Sequence, residues 1–222
     1  MRPQSLDDFV GQDHLLGPGK PVRRMHEQGH ILSMILWGPP GSGKTTLARI
    51  LAEKASAEFV QLSAVSSGVK EVRSVIERAK ESRKLEGSPI TILFIDEIHR
   101  FNKAQQDALL QAVEQGDITL IGATTENPSF EVIPPLRSRA KIFILNPLTV
   151  QDLESILDHA LERDEYLKTL TVTFEDRQML SAFSGGDARA LLNGLEMCCV
   201  LAERDGLVHI AQETLEEAFQ RA

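Results

Sequence analysis

A glycine-rich segment followed by a lysine and a threonine carries the strongest chemical signal in the sequence. Residues 38–45 read Gly-Pro-Pro-Gly-Ser-Gly-Lys-Thr, which fits the G-x-x-x-x-G-K-[ST] pattern of a phosphate-binding loop. The glycines allow backbone N–H groups to converge on phosphate oxygens, Lys44 can reach the β- and γ-phosphates, and Thr45 can bind Mg²⁺. An apolar run precedes the motif and a helical pattern follows it, as the motif requires. The predicted cradle consists of Gly38, Pro39, Pro40, Gly41, Ser42, Gly43, Lys44, Thr45 and Thr46.

Two adjacent acids follow another apolar run. Residues 92–95, Ile-Leu-Phe-Ile, lead directly into Asp96 and Glu97. A buried strand here would deliver Asp96 to the sheet edge beside the phosphate-binding loop, where it can hold Mg²⁺ through water. Glu97 is then placed to orient and deprotonate an attacking water. His99 has a weaker claim to a role near the γ-phosphate, because a single histidine is more often structural than functional.

Three other polar segments are candidates for contact with a γ-phosphate. Residues 122–127, Gly-Ala-Thr-Thr-Glu-Asn, end a further apolar run, and a polar side chain there could hold the water, although a turn that caps a strand explains the same residues. Residues 136–139, Leu-Arg-Ser-Arg, could supply a cation in trans, which can accelerate phosphoryl transfer by about 10³–10⁵. These arginines are expected to have a function, and not to be ordinary solvated surface residues, only if subunits form a ring. Arg189 lies in the first turn of a predicted helix, where the helix dipole disfavours it, and this suggests another use, such as reaching over a nucleotide.

The elements that must position these residues alternate between strands and helices. The apolar runs are nearly continuous, which is typical of strands buried on both faces of a parallel sheet. Amphipathic helical patterns at residues 45–55 and 69–79 separate the early runs. Strand–helix alternation predicts an α/β fold with a parallel sheet sandwiched by helices. The predicted strands cover residues 33–37, 58–62, 91–95, 118–122 and 141–145.

The pattern changes near Pro147, beyond which no strand-like run of comparable length occurs. Thr149-x-x-Asp152 and Thr173-x-x-Asp176 both predict helix starts. Further helices are predicted from about residue 187 to 203, after Gly185-Gly186, and around Leu215, Ala218 and Phe219. The sequence therefore predicts two units: an α/β nucleotide-binding domain over residues 1–146 and a small all-α lid domain over residues 147–222.

The bulk properties exclude several classes of protein. The chain of 222 residues carries a net charge of −8, which argues against a domain that coats DNA non-specifically but leaves room for DNA held by a few local basic residues. No apolar stretch is long enough to span a membrane, and the N-terminus has no signal-peptide pattern. The adjacent Cys198 and Cys199 lie in an apolar run and are expected to be buried and reduced. We therefore expect a cytoplasmic protein, with nucleoid association where DNA is bound.

Five motifs stand in the order of the AAA+ ATPases: Walker A, Walker B, sensor 1, arginine finger and sensor 2. In detail the chain resembles the RarA/MgsA family of replication-associated ATPases, and the resemblance covers nearly its whole length. The most specific stretches are His99 to Asn102 and Thr124 to Phe130. Those that carry the resemblance are residues 1–3, 34–41, 92–103, 105–107, 120–130, 136–140 and 186–189.

The resemblance implies a role for each candidate in Mg²⁺-dependent ATP hydrolysis. The catalytic residues would be Lys44, Glu97, Arg139 as the finger, Arg189 as sensor 2, and Thr125 as sensor 1 with Asn127 as its alternative. Thr45 and Asp96 would hold Mg²⁺. ATP would lie in the cradle, with Gln12 in the segment beside the adenine and Arg189 above the phosphates.

Family members act at stalled replication forks, so the resemblance implies forked, gapped or single-strand/double-strand junction DNA and replication and recombination proteins as partners. They also continue into a C-terminal oligomerisation domain, so we expect a homo-oligomer in the full-length protein and a fragment here, for which a monomer is one expected state. Lys70, Arg100 and Lys103 are candidate DNA contacts, although solvated surface explains each more simply. Two alternatives stay open: a nucleotide-dependent protein-interaction module, and a clamp-loader or Holliday-junction-motor subunit.

Overall fold

The computed structural model describes residues 2–220, so Met1 of the first resembling stretch and residues 221–222 lie outside it. Its first part is a parallel five-stranded sheet in the order β2-β3-β4-β1-β5. The strands are β1 Met34–Trp37, β2 Glu58–Ser63, β3 Thr91–Asp96, β4 Thr119–Thr124 and β5 Lys141–Ile144. The helices that accompany them are α1 Asp13–Leu16, α2 Pro21–Gln28, α3 Lys44–Lys54, α4 Val69–Arg83, α5 Lys103–Glu114, α6 Pro128–Glu131 and α7 Pro134–Arg139.

Each predicted strand of the main sheet is present, within two residues of its predicted bounds. The expected burial on both faces holds for the central strands β1, β3 and β4. It does not hold for the edge strands: Ile142 and Ile144 of β5 are 38% and 50% exposed. An edge strand has a neighbour on one side only, so less of its surface is covered.

Two apolar cores lie on opposite faces of this sheet because successive strand residues point to opposite sides. On one face Met34 and Leu36 of β1 pack in a core with residues of α1, α2 and α3. On the other face Ile35 packs in a core with residues of α4 and α5. The predicted α/β sheet sandwiched by helices is confirmed.

The C-terminal part has its own core and includes a small sheet that the sequence analysis missed. Its helices are α8 Val150–Arg163, α9 Arg177–Ser184, α10 Ala188–Ala202 and α11 Gln212–Gln220, and its strands are β6 Thr171–Phe174, β7 Glu203–Arg204 and β8 Leu207–Ile210. The strands pair in the order β6-β8-β7. The prediction of an all-α lid is therefore wrong. These strands have two to four residues, and β6 and β8 alternate between more and less exposed positions, so no continuous apolar run marks them.

The two predicted helix starts in this part have different outcomes. Thr149 and Asp152 form the reciprocal capping box at the start of α8, which confirms that prediction. Thr173 lies in β6, so the second box is wrong, and Asp176 caps α9 instead by accepting from the N–H of Gln178 at 2.9 Å. The first core ends at Leu145, the second at Ala140, and the third begins at Leu148, but the division after residue 146 stays a prediction.

Gln106 fixes the segment between β4 and β5 through backbone hydrogen bonds. Its side-chain amide donates to the carbonyls of Phe101 and Glu131 at 2.9 and 3.0 Å, and its carbonyl accepts from the N–H of Ile133 at 2.9 Å. The residue is 3% exposed. Gln106 therefore ties the start of α5 to the chain that leads into α7.

We expect Gln106→Leu to lower the free energy of unfolding by about 3 kcal/mol, because one buried and two partly buried backbone groups each lose a partner. Gln111→Leu, at an exposed position of the same helix, is the matched control. Urea denaturation of both variants measures the difference. Equal stability of the two would show that water replaces the Gln106 hydrogen bonds without cost.

Candidate active site

Three strands end side by side at the carboxyl edge of the main sheet and deliver polar residues to it. The register pairs Trp37 of β1 with Thr124 of β4, and the N–H of Gly38 donates to the carbonyl of Thr124 at 3.1 Å. On the other side β4 pairs with β3, with Gly122 opposite Ile95. Thr124 consequently lies between the glycine-rich loop that follows β1 and the two acids that end β3.

Lys44 begins α3 and is folded back against the glycine-rich loop. Its ammonium donates to the carbonyls of Gly38 and Pro39, both at 2.8 Å, and the residue is 8% exposed. Burial lowers the pKa of Lys44, while the negative charges of Glu97 and Asp96 act to raise it. The buried ammonium and the two carboxylates thus attract one another at the carboxyl edge of the sheet.

Glu97 has an unusual backbone conformation for a residue that is not glycine. Its φ and ψ are 56° and 44°, in the left-handed region, which costs about 1 kcal/mol. Its carboxylate is 33% exposed and lies 3.3 Å from Nδ1 of His99. Strained backbone of this kind concentrates at functional sites because the surrounding structure has to hold it in place. The strain directs the chain into a short 3₁₀ turn, Ile98–Arg100, immediately after the acids.

The turn after β4 contains both sensor 1 candidates, and β4 ends in a second threonine that the sequence analysis did not select. Thr124 is fully buried, and its hydroxyl bonds to His99 and to the backbone of Glu126. Asn127 caps α6 by accepting from the N–H of Ser129 at 2.9 Å. The Thr125 carbonyl accepts from the Trp37 indole at 3.3 Å, and its side chain is partly exposed. The sensor role of Thr125 or Asn127 stays a prediction.

Residues from the C-terminal part reach the glycine-rich loop. Asp187 caps α10, accepting from the N–H groups of Arg189 and Ala190 at 2.7 and 3.1 Å. A Cβ on Gly41, whose φ is +68°, would fall 2.0 Å from the carboxylate of Asp187. Arg189 is exposed, and its charge acts to lower the pKa of Lys44. Asp187 is a site residue that the sequence analysis missed, although its place before a helix after two glycines is a recognisable cap signal.

The N-terminal segment also contributes to the site. The side-chain amide of Gln12 donates to the carbonyl of Asn146 and accepts from its N–H, both at 2.8 Å, so it ties this segment to the end of the main sheet. Its predicted contact with a nucleotide stays a prediction. A Cβ on Gly43, whose φ is +94°, would fall 2.4 Å from the ring of Phe9. The sequence analysis missed Phe9; an aromatic ring in a polar segment was the available signal.

Arg139 does not reach this site within one chain. It ends α7 just before β5, and its guanidinium pairs with Glu114 at the end of α5 at 2.5 Å. Both residues precede strands, so they lie at the amino edge of a sheet that is roughly 17 Å long along β4. Nε of Arg137 is buried and has no hydrogen-bond partner among residues 2–220.

Comparison with known proteins fits this geometry. The model of the "ATPase family associated with various cellular activities (AAA)" matches residues 34–148. The chain belongs to the AAA ATPase family. It is 50% identical over 208 residues to Replication-associated recombination protein A of Escherichia coli, covering 92% of this chain and 46% of that protein. The protein of the same name from Bacillus subtilis is 41% identical over 227 residues, covering 100% of this chain and 52% of that one.

Among solved structures the chain is similar to RuvB of Thermotoga maritima, described as a Holliday junction branch migration motor. The TM-score is 0.69 at 31% identity, over 99% of this chain and 72% of that one. These likenesses confirm the predicted AAA+ fold, the resemblance to the replication-associated recombination proteins and the enzyme class, an ATPase domain that binds nucleotide. The chain spans about half the length of the curated relatives named above.

Within this AAA domain the candidate DNA contacts share the edge that carries the site. Lys70 lies in the first turn of α4, which follows β2, and Arg100 and Lys103 follow β3; all three are exposed. The carboxyl ends of β2 and β3 therefore present three cations to solvent near the acids.

Among the described residues no helix is long and apolar enough to cross a membrane.

The contact between Gly41 and Asp187 yields a prediction on nucleotide affinity. We expect Gly41→Ala to weaken binding of a fluorescent ATP analogue about tenfold, or 1.4 kcal/mol, because the new methyl group displaces the start of α10. Gly185→Ala is the matched control: its φ is also positive, at +59°, but nothing lies within 4 Å of the added Cβ. Similar affinities for the two variants would mean that backbone strain, and not displacement of α10, causes the loss of nucleotide affinity.

Proposed function

We propose that this chain is the Mg²⁺-dependent ATP-hydrolysing core of a replication-fork and recombination ATPase. The observation that carries the proposal is the convergence of Lys44, Asp96, Glu97 and Thr124 at one sheet edge, beneath Asp187 and Arg189. The sequence similarity to Replication-associated recombination protein A supports the choice of process. A cytoplasmic setting and replication or recombination proteins as partners belong to the same proposal.

The residues present fit a nucleotide and a divalent cation. Gly41 and Gly43 leave a cradle that any Cβ would narrow, against Asp187 at 2.0 Å and Phe9 at 2.4 Å. Lys44 has an ammonium ready to exchange backbone carbonyls for phosphate oxygens, and the N-terminus of α3 favours anions. Thr45 and Asp96 supply the oxygen donors that Mg²⁺ prefers. When bound, Mg²⁺ would neutralise charge on the phosphates.

The protein's own groups divide the remaining work. Glu97 holds the attacking water in line with the γ-phosphate and accepts a proton from it. Lys44 stabilises the negative charge that develops on the γ-phosphate oxygens. Thr125 or Asn127 orients the same water from the β4 side. Arg189 closes the site from α10. Arg139, fixed at the opposite sheet edge, acts on the nucleotide of a neighbouring subunit, so the active site is shared in a homo-oligomer.

The test is ATP turnover per subunit against protein concentration, with forked DNA, gapped DNA and linear duplex of equal nucleotide content. We expect turnover to rise with concentration as subunits meet, and forked or gapped DNA to stimulate it more than duplex. Concentration-independent turnover would contradict the shared site. Equal effects of all three DNAs would contradict the fork assignment but not ATP hydrolysis.

The similarity to RuvB supports a second candidate, a motor that acts on four-way junctions. A four-way junction in the same assay separates the two, because a junction motor should respond to it more strongly than to a fork. A protein-interaction module is separated by Glu97→Gln. That variant should retain ATP in every case, but it abolishes a DNA-dependent activity only where hydrolysis drives the activity.

A further inference from the structure

His99 lies at one end of a hydrogen-bond chain, beside the proposed catalytic carboxylate. Its Nδ1 is 3.0 Å from the hydroxyl of Thr124 and 3.3 Å from Oε2 of Glu97. The imidazole side chain is 13% exposed. The 3₁₀ turn Ile98–Arg100 places it there, directly after the strained backbone of Glu97. One nitrogen atom thus contacts the end of β3 and the end of β4.

The neighbours of this nitrogen favour the tautomer that carries its hydrogen on Nδ1. An unprotonated Nδ1 would place a lone pair against the negative carboxylate of Glu97, which is repulsive. A protonated Nδ1 donates to the Thr124 hydroxyl and places the positive end of its N–H bond, instead of a lone pair, 3.3 Å from the carboxylate. Thr124 can then accept from the N–H of Glu126 at 3.0 Å and give its own proton to the Glu126 carbonyl at 3.2 Å. The Nδ1–H form is therefore compatible with each hydrogen bond of the chain and with the nearby carboxylate.

This chain of bonds joins two parts of the site that have separate tasks. Glu97 is the proposed base. The backbone of Glu126 belongs to the turn that presents Thr125 and Asn127, the residues proposed to contact the water or γ-phosphate. Thr124 is fully buried and bonded on both sides, so it links the backbone of this turn to His99.

We propose that His99 is a positioning residue that orients the carboxylate of Glu97 through Nδ1–H and couples it to the β4 turn through Thr124. The inference rests on the proposed role of Glu97 as the base. It assigns to His99 no contact with the nucleotide, so its loss should lower kcat and leave nucleotide binding unchanged. A residue needed only for packing would instead alter stability and binding together.

The experiment compares three replacements of His99 in this chain, with steady-state ATP hydrolysis, fluorescent-nucleotide titration and thermal unfolding on each. His99→Asn keeps an N–H donor near the place of Nδ1, His99→Gln moves it toward the place of Nε2, and His99→Leu removes it. We expect His99→Leu and His99→Gln to lose about 10- to 100-fold in kcat, with nucleotide Kd within twofold. His99→Asn should recover most of the loss.

Thr124→Val tests the second half of the chain, and its effect on kcat should not add to that of His99→Leu because both break one connection. Equal kcat for His99→Asn and His99→Leu, or an unchanged kcat in His99→Leu, would overturn the inference. An ¹⁵N NMR spectrum of the histidine ring gives a readout without turnover: Nδ1 without a proton would also overturn it.

Glu97→Gln, measured in parallel, separates the two levels of the proposal. If Glu97→Gln lowers kcat strongly and the His99 variants do not, the positioning role fails and the proposed base stands. If Glu97→Gln leaves kcat unchanged, the proposed function of the site fails, and the His99 role falls with it.

Discussion

Replacing Arg139 with alanine should lower ATP turnover of the assembled protein by about 10³-fold, within the range found for arginines that act in trans. Within its own chain the guanidinium pairs with Glu114 at the sheet edge opposite the glycine-rich loop, so its loss removes no contact to its own nucleotide. The ion pair is about 40% exposed on both sides and contributes at most about 1 kcal/mol to folding. A large kinetic effect without a large stability effect is therefore expected.

Glu114→Ala is the matched control for Arg139→Ala, because it removes the same ion pair and keeps the arginine. We expect its turnover to stay within a few fold of the unmodified chain. Mixing Arg139→Ala subunits with Lys44→Ala subunits adds a second test. An intact glycine-rich loop can then meet an intact Arg139 from the neighbour, so part of the activity should return. Mixtures as inactive as either variant alone would contradict action in trans.

Glu97→Gln should reduce kcat by about 10²–10⁴-fold, the usual contribution of a general base, and leave nucleotide affinity nearly unchanged. The amide has nearly the shape of the carboxylate but cannot accept the proton of the attacking water. Loss of the negative charge beside Lys44 acts in the direction of tighter phosphate binding, since less of the ammonium charge is neutralised. The variant should accordingly retain ATP. Single-turnover hydrolysis and nucleotide titration measure the two effects separately.

The control for Glu97→Gln is Glu126→Gln, which removes an exposed carboxylate from the turn after β4. Only the backbone of Glu126 takes part in the hydrogen bonds of the site, so its turnover should be close to that of the unmodified chain. Comparable losses in the two variants would indicate that the general negative potential of this edge, and not proton transfer to Glu97, limits the reaction.

The chemistry carried by contiguous residues could be predicted from the sequence. The loop at 38–45 and the acids Asp96 and Glu97 depend on a few adjacent positions and on flanking elements with strong periodicity, so their placement at a strand end follows from local rules. The short strands β6 to β8 could not be predicted in this way. The residues of β6 and β8 alternate in exposure over four positions, and β7 has only two residues, both exposed, so no local pattern marks these strands.

The sequence by itself determined the glycine-rich loop after a strand, the two acids at the end of another strand and the five-stranded parallel sheet. The tertiary structure decided which distant residues meet. It placed Phe9 on Gly43 and Asp187 on Gly41, bound Gln12 to Asn146, and brought His99 between Glu97 and Thr124. It also placed Arg139 at the far edge of the sheet. Such contacts depend on strand order and on the packing of separate elements, which spacing along one chain does not encode.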